Sequence, residues 1–202
     1  MNVLFPVIMS VPEAPAGLPL KRKHPRLSRL ARRALHFSTE KSGLFLPETL
    51  PKTSQGVPRP VDGIFWSLSH KEAFVAGLAA TNPIGLDVEK TAVPDPSDRM
   101  FAKIVPPLEE KLFEQNRPEI FFRCWTAKEA ALKAEGLGLS GLSRCRVTAV
   151  ANATRLTITI DHRVWQISQF YFNHHLAAVA AENIVSCRWT LLNELEQIIL
   201  TA

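Results

Sequence analysis

Cysteine is scarce in this chain. Cys124, Cys145 and Cys187 are the only three, far apart and in no C-x-x-C pair. An odd, unclustered set excludes a disulfide framework and a zinc knuckle, and it points to a reducing cytoplasm. Long hydrophobic runs are missing too. No stretch approaches the ~18 apolar residues of a membrane span, so no membrane association is expected. Only Met1 and Asn2 precede the apolar run from Val3 to Met9. A basic n-region is absent, which argues against a secretory signal. The strings H-E-x-x-H, G-x-x-x-x-G-K-[ST] and G-x-G-x-x-G do not occur, which removes zinc hydrolases of that type, P-loops and dinucleotide fingerprints.

What is present describes a globular protein. Of 202 residues, 46% are hydrophobic and 21% charged, so disorder is not expected. The length suits one ordinary domain or two small lobes sharing a core. Lysine and arginine number 24 against 19 acidic residues, net +5. The excess is uneven: Lys21, Arg22, Lys23 and Arg26 lead into Arg29, Arg32 and Arg33. Such a cluster attracts phosphates, whether of a nucleotide or a nucleic acid, or it is simply a solvated helix face. Phe37 is the only aromatic ring nearby, which weakens a stacking site for single strands.

Periodicity orders the chain. A strand and a proline-rich connector occupy residues 1–20, and a helix covers 24–37, where Leu27, Leu30, Ala31, Ala34 and Leu35 recur at helical spacing. Glycines and prolines make 42–61 a loop. Strands are predicted at 63–68, 73–80 and 84–90. A turn at Asp95-Pro96-Ser97 marks a helix start, and helices are predicted from Pro106-Pro107 to Gln115 and from Pro118 to Glu135, where Gly136 stops the second. Strands follow at 144–149, 155–160, 164–172 and 175–182, then a helical piece at 189–200. One echo stands out: Phe74–Ala80 resembles Leu176–Glu182, about half a chain apart. Repeats of this length fit a duplicated lobe, although alanine-rich strings also match by chance.

Three strings could carry chemistry. In Ile84-Gly85-Leu86-Asp87-Val88-Glu89, strand alternation puts both carboxylates on one face, roughly 7 Å apart. They repel unless water or a cation separates them, and such oxygens suit Mg²⁺; a solvated polar face is the plainer alternative. In Phe121–Lys133, helical spacing aligns Phe121, Trp125 and Leu132, and Glu129 falls inside that stripe. A carboxylate there must be neutralised, paired or metal-bound, unless it only makes an i,i+4 pair with Lys133. In Ser67-Leu68-Ser69-His70-Lys71, a strand end offers donors to a phosphate; an ordinary polar turn and a Ser–His dyad are the alternatives, the dyad lacking a third member.

In this order the strings resemble the signatures of the 4′-phosphopantetheinyl transferase superfamily. These are a G-[IVL]-D-x-E strand, here Gly85–Glu89, and about forty residues later a [FW]-[ST]-x-K-E-[AS]-x-x-K helix, here Trp125–Lys133. Ser67–His70 matches a preceding S-x-S-H element. The similarity covers about residues 56–140. Two departures are visible: Gly56-Val57-Pro58 lacks the basic residue of a Gly-basic-Pro string, and Lys71 stands where a small hydroxyl is frequent.

The resemblance implies an α+β fold of the larger, pseudo-dimeric class. Two similar lobes, 1–97 and 98–202, would each pack a long helix on an antiparallel sheet, related by a pseudo-twofold with the site in the cleft between them. It implies transfer of the phosphopantetheine arm of coenzyme A to a serine of an apo acyl or peptidyl carrier protein, by a monomer. Asp87, Glu89 and Glu129 would hold Mg²⁺. Glu129 or Glu89 would take the serine proton, and Lys133 would stabilise the leaving group. Ser69, His70, Lys128, Lys133, Arg22 and Lys23 would contact coenzyme A. The competing expectation is a basic nucleic-acid-binding module without catalysis, which leaves Glu129 unexplained; a degenerate, non-catalytic transferase lobe is a third.

Overall fold

A computed structural model describes residues 3–13, 20–92, 94–184, 186–193, 195 and 198–201, with the side chains of 20–23, 200 and 201 set aside. Its elements are β1 (Val3–Leu4), β2 (Val7–Ser10), α1 (Leu20–Ser42), β3 (Phe65–His70), β4 (Phe74–Ala80), β5 (Ile84–Lys90), α2 (Asp98–Ile104), α3 (Pro107–Glu110) and α4 (Arg117–Glu135). A 3₁₀ helix (Gly138–Arg144) leads to β6 (Cys145–Asn152), β7 (Arg155–Ile160), β8 (Arg163–Phe172), β9 (His175–Ala181), β10 (Ser186–Cys187), β11 (Thr190–Leu192) and β12 (Ile198–Thr201). The fold class is α+β, as expected.

Two five-stranded sheets lie face to face, with one long helix on each outer face. The first runs β12-β11-β2-β4-β3 and the second β5-β9-β8-β7-β6. Val7, Met9 and Val75 pack under Ala31 and Ala34 of α1. Between the sheets lie Ile8, Ala76, Leu78, Leu86, Val88 and Val179. Under α4 lie Ile158, Trp165, Ala178 and Ala180, against Cys124, Ala127, Ala130 and Ala131. Strand alternation sorts these layers: in β5 the even residues face the other sheet, so Gly85, Asp87 and Glu89 face α4.

Small residues set the approach of helix to sheet. A methyl on Gly77 would run into the backbone of Ala34 and Leu35, and one on Gly85 into the Ala130 carbonyl and the Ala134 nitrogen. The echoed strings are β4 and β9, buried throughout, each between two strands of its sheet and crossed by a helix.

Several element assignments change. No described residue of 189–200 is helical: β11 pairs in parallel with β2 and antiparallel with β12. Burial of Thr190, Leu191 and Leu192 against the first sheet overrides the helical spacing of that string. The parallel pairing also makes the first sheet mixed rather than antiparallel. The helix predicted to Gln115 is the short α3, and α1 begins four residues earlier than predicted, with Pro25 inside it. The halves of the chain also interleave. β5, before residue 97, is an edge of the second sheet, and β11 and β12, after 98, complete the first. The three cysteines are free, and burial pushes the thiols of Cys124 and Cys145 up to about 12.

Candidate active site

The site forms where β3 and β5, an edge strand from each sheet, meet under α4. They are not joined by a ladder. Instead, the Leu86 N–H donates to Ser67 Oγ at 2.9 Å and the Val88 N–H donates to Ser69 Oγ at 3.1 Å. Two edge amides are thereby satisfied by hydroxyls. Ser69 Oγ in turn donates to Asp87 Oδ1 at 2.9 Å. Ser69 is therefore buried, its hydroxyl held between Asp87 and the Val88 N–H, where it fixes Asp87.

α4 brings the second half of the set. Asn116 caps its start through the Glu119 N–H, and Gly136 ends it in the left-handed conformation at φ 72°. Lys133 Nζ donates to Asp87 Oδ1 at 2.8 Å and to the Leu86 carbonyl at 3.0 Å. Trp125 Nε1 donates to Glu89 Oε1 at 3.0 Å, while Lys71 Nζ lies 2.7 Å from Glu89 Oε2. Glu129 is half-buried on the same helix face and lines a 210 Å³ cavity with Lys133 and residues 55–58. A second cavity of 530 Å³ adjoins Glu89, Lys71 and Trp125 and is walled by Met100, Phe121 and Phe122.

The electrostatics show that the three acids share one field. Burial raises the Glu129 carboxyl above its usual range, and Asp87 and Glu89 raise it further while Lys133 opposes them. Glu89 is raised by burial and then by Asp87, against Lys71 and Trp125. Asp87 is only 4% exposed, and its Oδ2 is buried without a hydrogen-bond partner. A divalent cation fits this chemistry of hard oxygens, one of them orphaned. As the side chains stand, no three His, Cys, Asp or Glu residues among the described residues are gathered as ligands, and lysines pair with Asp87 and Glu89.

His70 and His24 make an edge-on ring contact at 4.9 Å, tying the start of α1 to the end of β3. Burial lowers the His70 pKa first, then the nearby charges of His24, Lys133 and Lys71. Such a crowd of basic groups suits an anion. The side chains of Arg22 and Lys23 lie outside the described residues. The rest of the basic cluster divides: Arg29, Arg32 and Arg33 line a separate groove beside Phe45 and Leu46.

Lys128 stands apart from the other residues of its motif. It is 1% exposed and turned from the site, with Nζ 2.7 Å from both Glu109 Oε2 and the Ile104 carbonyl. Three consecutive residues of a helix point in different directions, and Lys128 faces the α2–α3 side rather than Glu129's. Lys52 was missed by sequence reasoning. It bridges to Pro58, lies over the Trp66 ring and lines the cavity with Glu129, so a basic residue stands beside Gly56-Val57-Pro58 after all. The only signal was the proline- and glycine-rich hairpin around it.

Edge-strand acids facing a helical Glu and Lys agree with the match of residues 83–182 to the model of the 4′-phosphopantetheinyl transferase superfamily. This segment, just under half of the chain, is what is similar to that superfamily. Among curated proteins, it is 34% identical over 108 residues to slr0495 of Synechocystis sp., whose name provisionally assigns it as a 4′-phosphopantetheinyl transferase. It is 30% identical over 90 residues to the 4′-phosphopantetheinyl transferase HetI of Nostoc sp.. The matches cover 48% and 42% of this chain, and 44% and 38% of those relatives, less than half their lengths.

Proposed function

We propose that the protein transfers the 4′-phosphopantetheine group of coenzyme A to a serine of an apo acyl or peptidyl carrier protein, releasing adenosine 3′,5′-bisphosphate. The observation that supports it is the meeting of Asp87, Glu129 and Lys133 at one seam, although 46 residues separate Asp87 from Lys133. The serine oxygen bonds to the phosphorus bearing pantetheine, and the phosphoanhydride bond to the adenosine-side phosphate breaks. The serine proton needs an acceptor. Glu129 supplies it: burial and Asp87 raise its carboxyl, as they raise that of Glu89, and make it a stronger base than a solvated carboxylate. Lys133 stabilises charge on the departing bisphosphate, and His70, His24 and Lys52 supply a basic surround for the nucleotide phosphates.

Asp87 and Glu129, with Glu89, would hold Mg²⁺. When bound, it neutralises charge on the diphosphate and offsets the repulsion among the acids. The lobes 1–97 and 98–202 enter this reading as pseudo-twofold halves that exchange edge strands, in a cytoplasmic monomer without nucleic acid. No helix among the described residues is long and apolar enough to cross a membrane.

Incubation of apo-carrier proteins with coenzyme A and Mg²⁺ tests the reading by intact mass. The carrier should gain one phosphopantetheine, and a chelator should stop the gain. Asp87→Ala and Glu129→Ala should lose transfer, whereas Lys133→Ala should lower kcat more than it raises KM. Wild-type rates in either acid variant would refute the site.

A further inference from the structure

Three acids meet at the site, and two lysines already sit on them. Lys133 holds Asp87, and Lys71 holds Glu89 from the opposite side, at 2.7 Å from Oε2. Trp125 takes the other oxygen of Glu89, so both of its oxygens are engaged. Lys71 follows the last residue of β3, where its N–H pairs with the Phe74 carbonyl in the turn to β4. Its backbone is thus fixed, while its side chain is 41% exposed and free to swing into the 530 Å³ cavity. Glu89 is only 12% exposed and lies on a buried strand between Asp87 and the cavity, so it has little room to leave the site.

From this geometry we infer that Lys71 is a resident counter-cation that competes with the divalent metal for Glu89 and thereby sets how tightly the site takes the metal. The inference rests on the cation site proposed above. Lys71 acts through Glu89 and is a positioning residue. When the ammonium holds Oε2, a second cation meets net charge already offset and a ligand already turned away. When the lysine swings out, Glu89 is released to join Asp87 and Glu129. A lysine, unlike a small hydroxyl, therefore weakens the apparent affinity for the metal. It also keeps Glu89 neutralised when no metal is bound.

Equilibrium binding of Mn²⁺ alone to the full chain, read from the free-ion EPR signal at low ionic strength, tests this without turnover. Lys71→Met and Lys71→Ser should bind Mn²⁺ roughly 3–10-fold more tightly than wild type, the scale of removing one screened unit charge beside the cation. Lys71→Arg should match wild type, and Asp87→Ala should bind little. Circular dichroism of each variant checks its fold; the two neutral substitutions differ in size, so a packing effect would separate them. Equal or weaker binding by both neutral variants would overturn the inference while leaving an Asp87-dependent site standing. Unchanged Mn²⁺ affinity with weakened coenzyme A binding would make Lys71 a phosphate contact and overturn it too. If wild type shows no Asp87-dependent binding, the cation site and this inference fall together.

Discussion

Glu129 shows how a side chain proposed for the reaction can be costly to the fold. It lies half-buried among acids, and its raised pKa means that the folded form holds its proton more tightly than the unfolded chain does. Stability in the absence of metal should therefore fall as pH rises from the ordinary carboxylate range, near ~4.3, through the folded pKa. Glu89, shifted the same way, adds to that slope. Glu129→Gln should flatten it and raise Tm at pH 7. Solvent screening of a partly exposed group keeps the gain small, no more than roughly 2–4 °C, while transfer is lost. Calorimetry across pH checks the first effect and the carrier mass assay the second; a lower Tm in the Gln variant would contradict the assignment of strain to this carboxylate. Glu129 was visible in the sequence because a charge stood inside an apolar stripe. The hold of Ser69 on β5 was not: its partners, Asp87 and the Val88 N–H, belong to a strand that local pattern cannot place beside it.

Among the elements, α4 does two jobs with neighbouring residues. One face carries Trp125, Glu129 and Lys133 to β5; another buries Lys128 against Glu109 of α3, an ion pair 4% exposed at most. Lys128→Met should leave Glu109 uncompensated and cost about 3–5 kcal/mol in urea unfolding, whereas Lys128→Met with Glu109→Leu should recover most of that loss. If the double variant is no more stable than the single, the pair does not anchor α3. The limits of α4 were legible to within a residue because Pro118 and Gly136 punctuate it. The sense of its lysines was not, since the motif string gives no sign that α3 covers one side. The C-terminal string was misread for a related reason: its apolar residues recur at helical spacing, but an open edge at β2 recruits them as strand.

Across the whole molecule, each sheet depends on chain from the other half. β11 covers the edge of β2, where Val7, Ile8 and Met9 are fully buried. Removing residues 186–202 should bare that edge and the apolar layers beside it. The expected product is insoluble, or soluble without cooperative thermal unfolding by circular dichroism. A truncated protein with a wild-type melting transition would show that the first sheet stands without β11 and β12. Layer order was only partly readable beforehand. The repeated alanine-rich strands hinted at two equivalent sheets, and their small residues proved to be where α1 and α4 lie close.

The same interleaving bears on how the protein is made. β2 waits for β11 and β12, which are made long after it, so its sheet is finished only once both have emerged. Folding must close the longest loop the topology contains before that layer pays back its ordering cost. During synthesis the exposed face of β2 is the part of the nascent chain most in need of shelter.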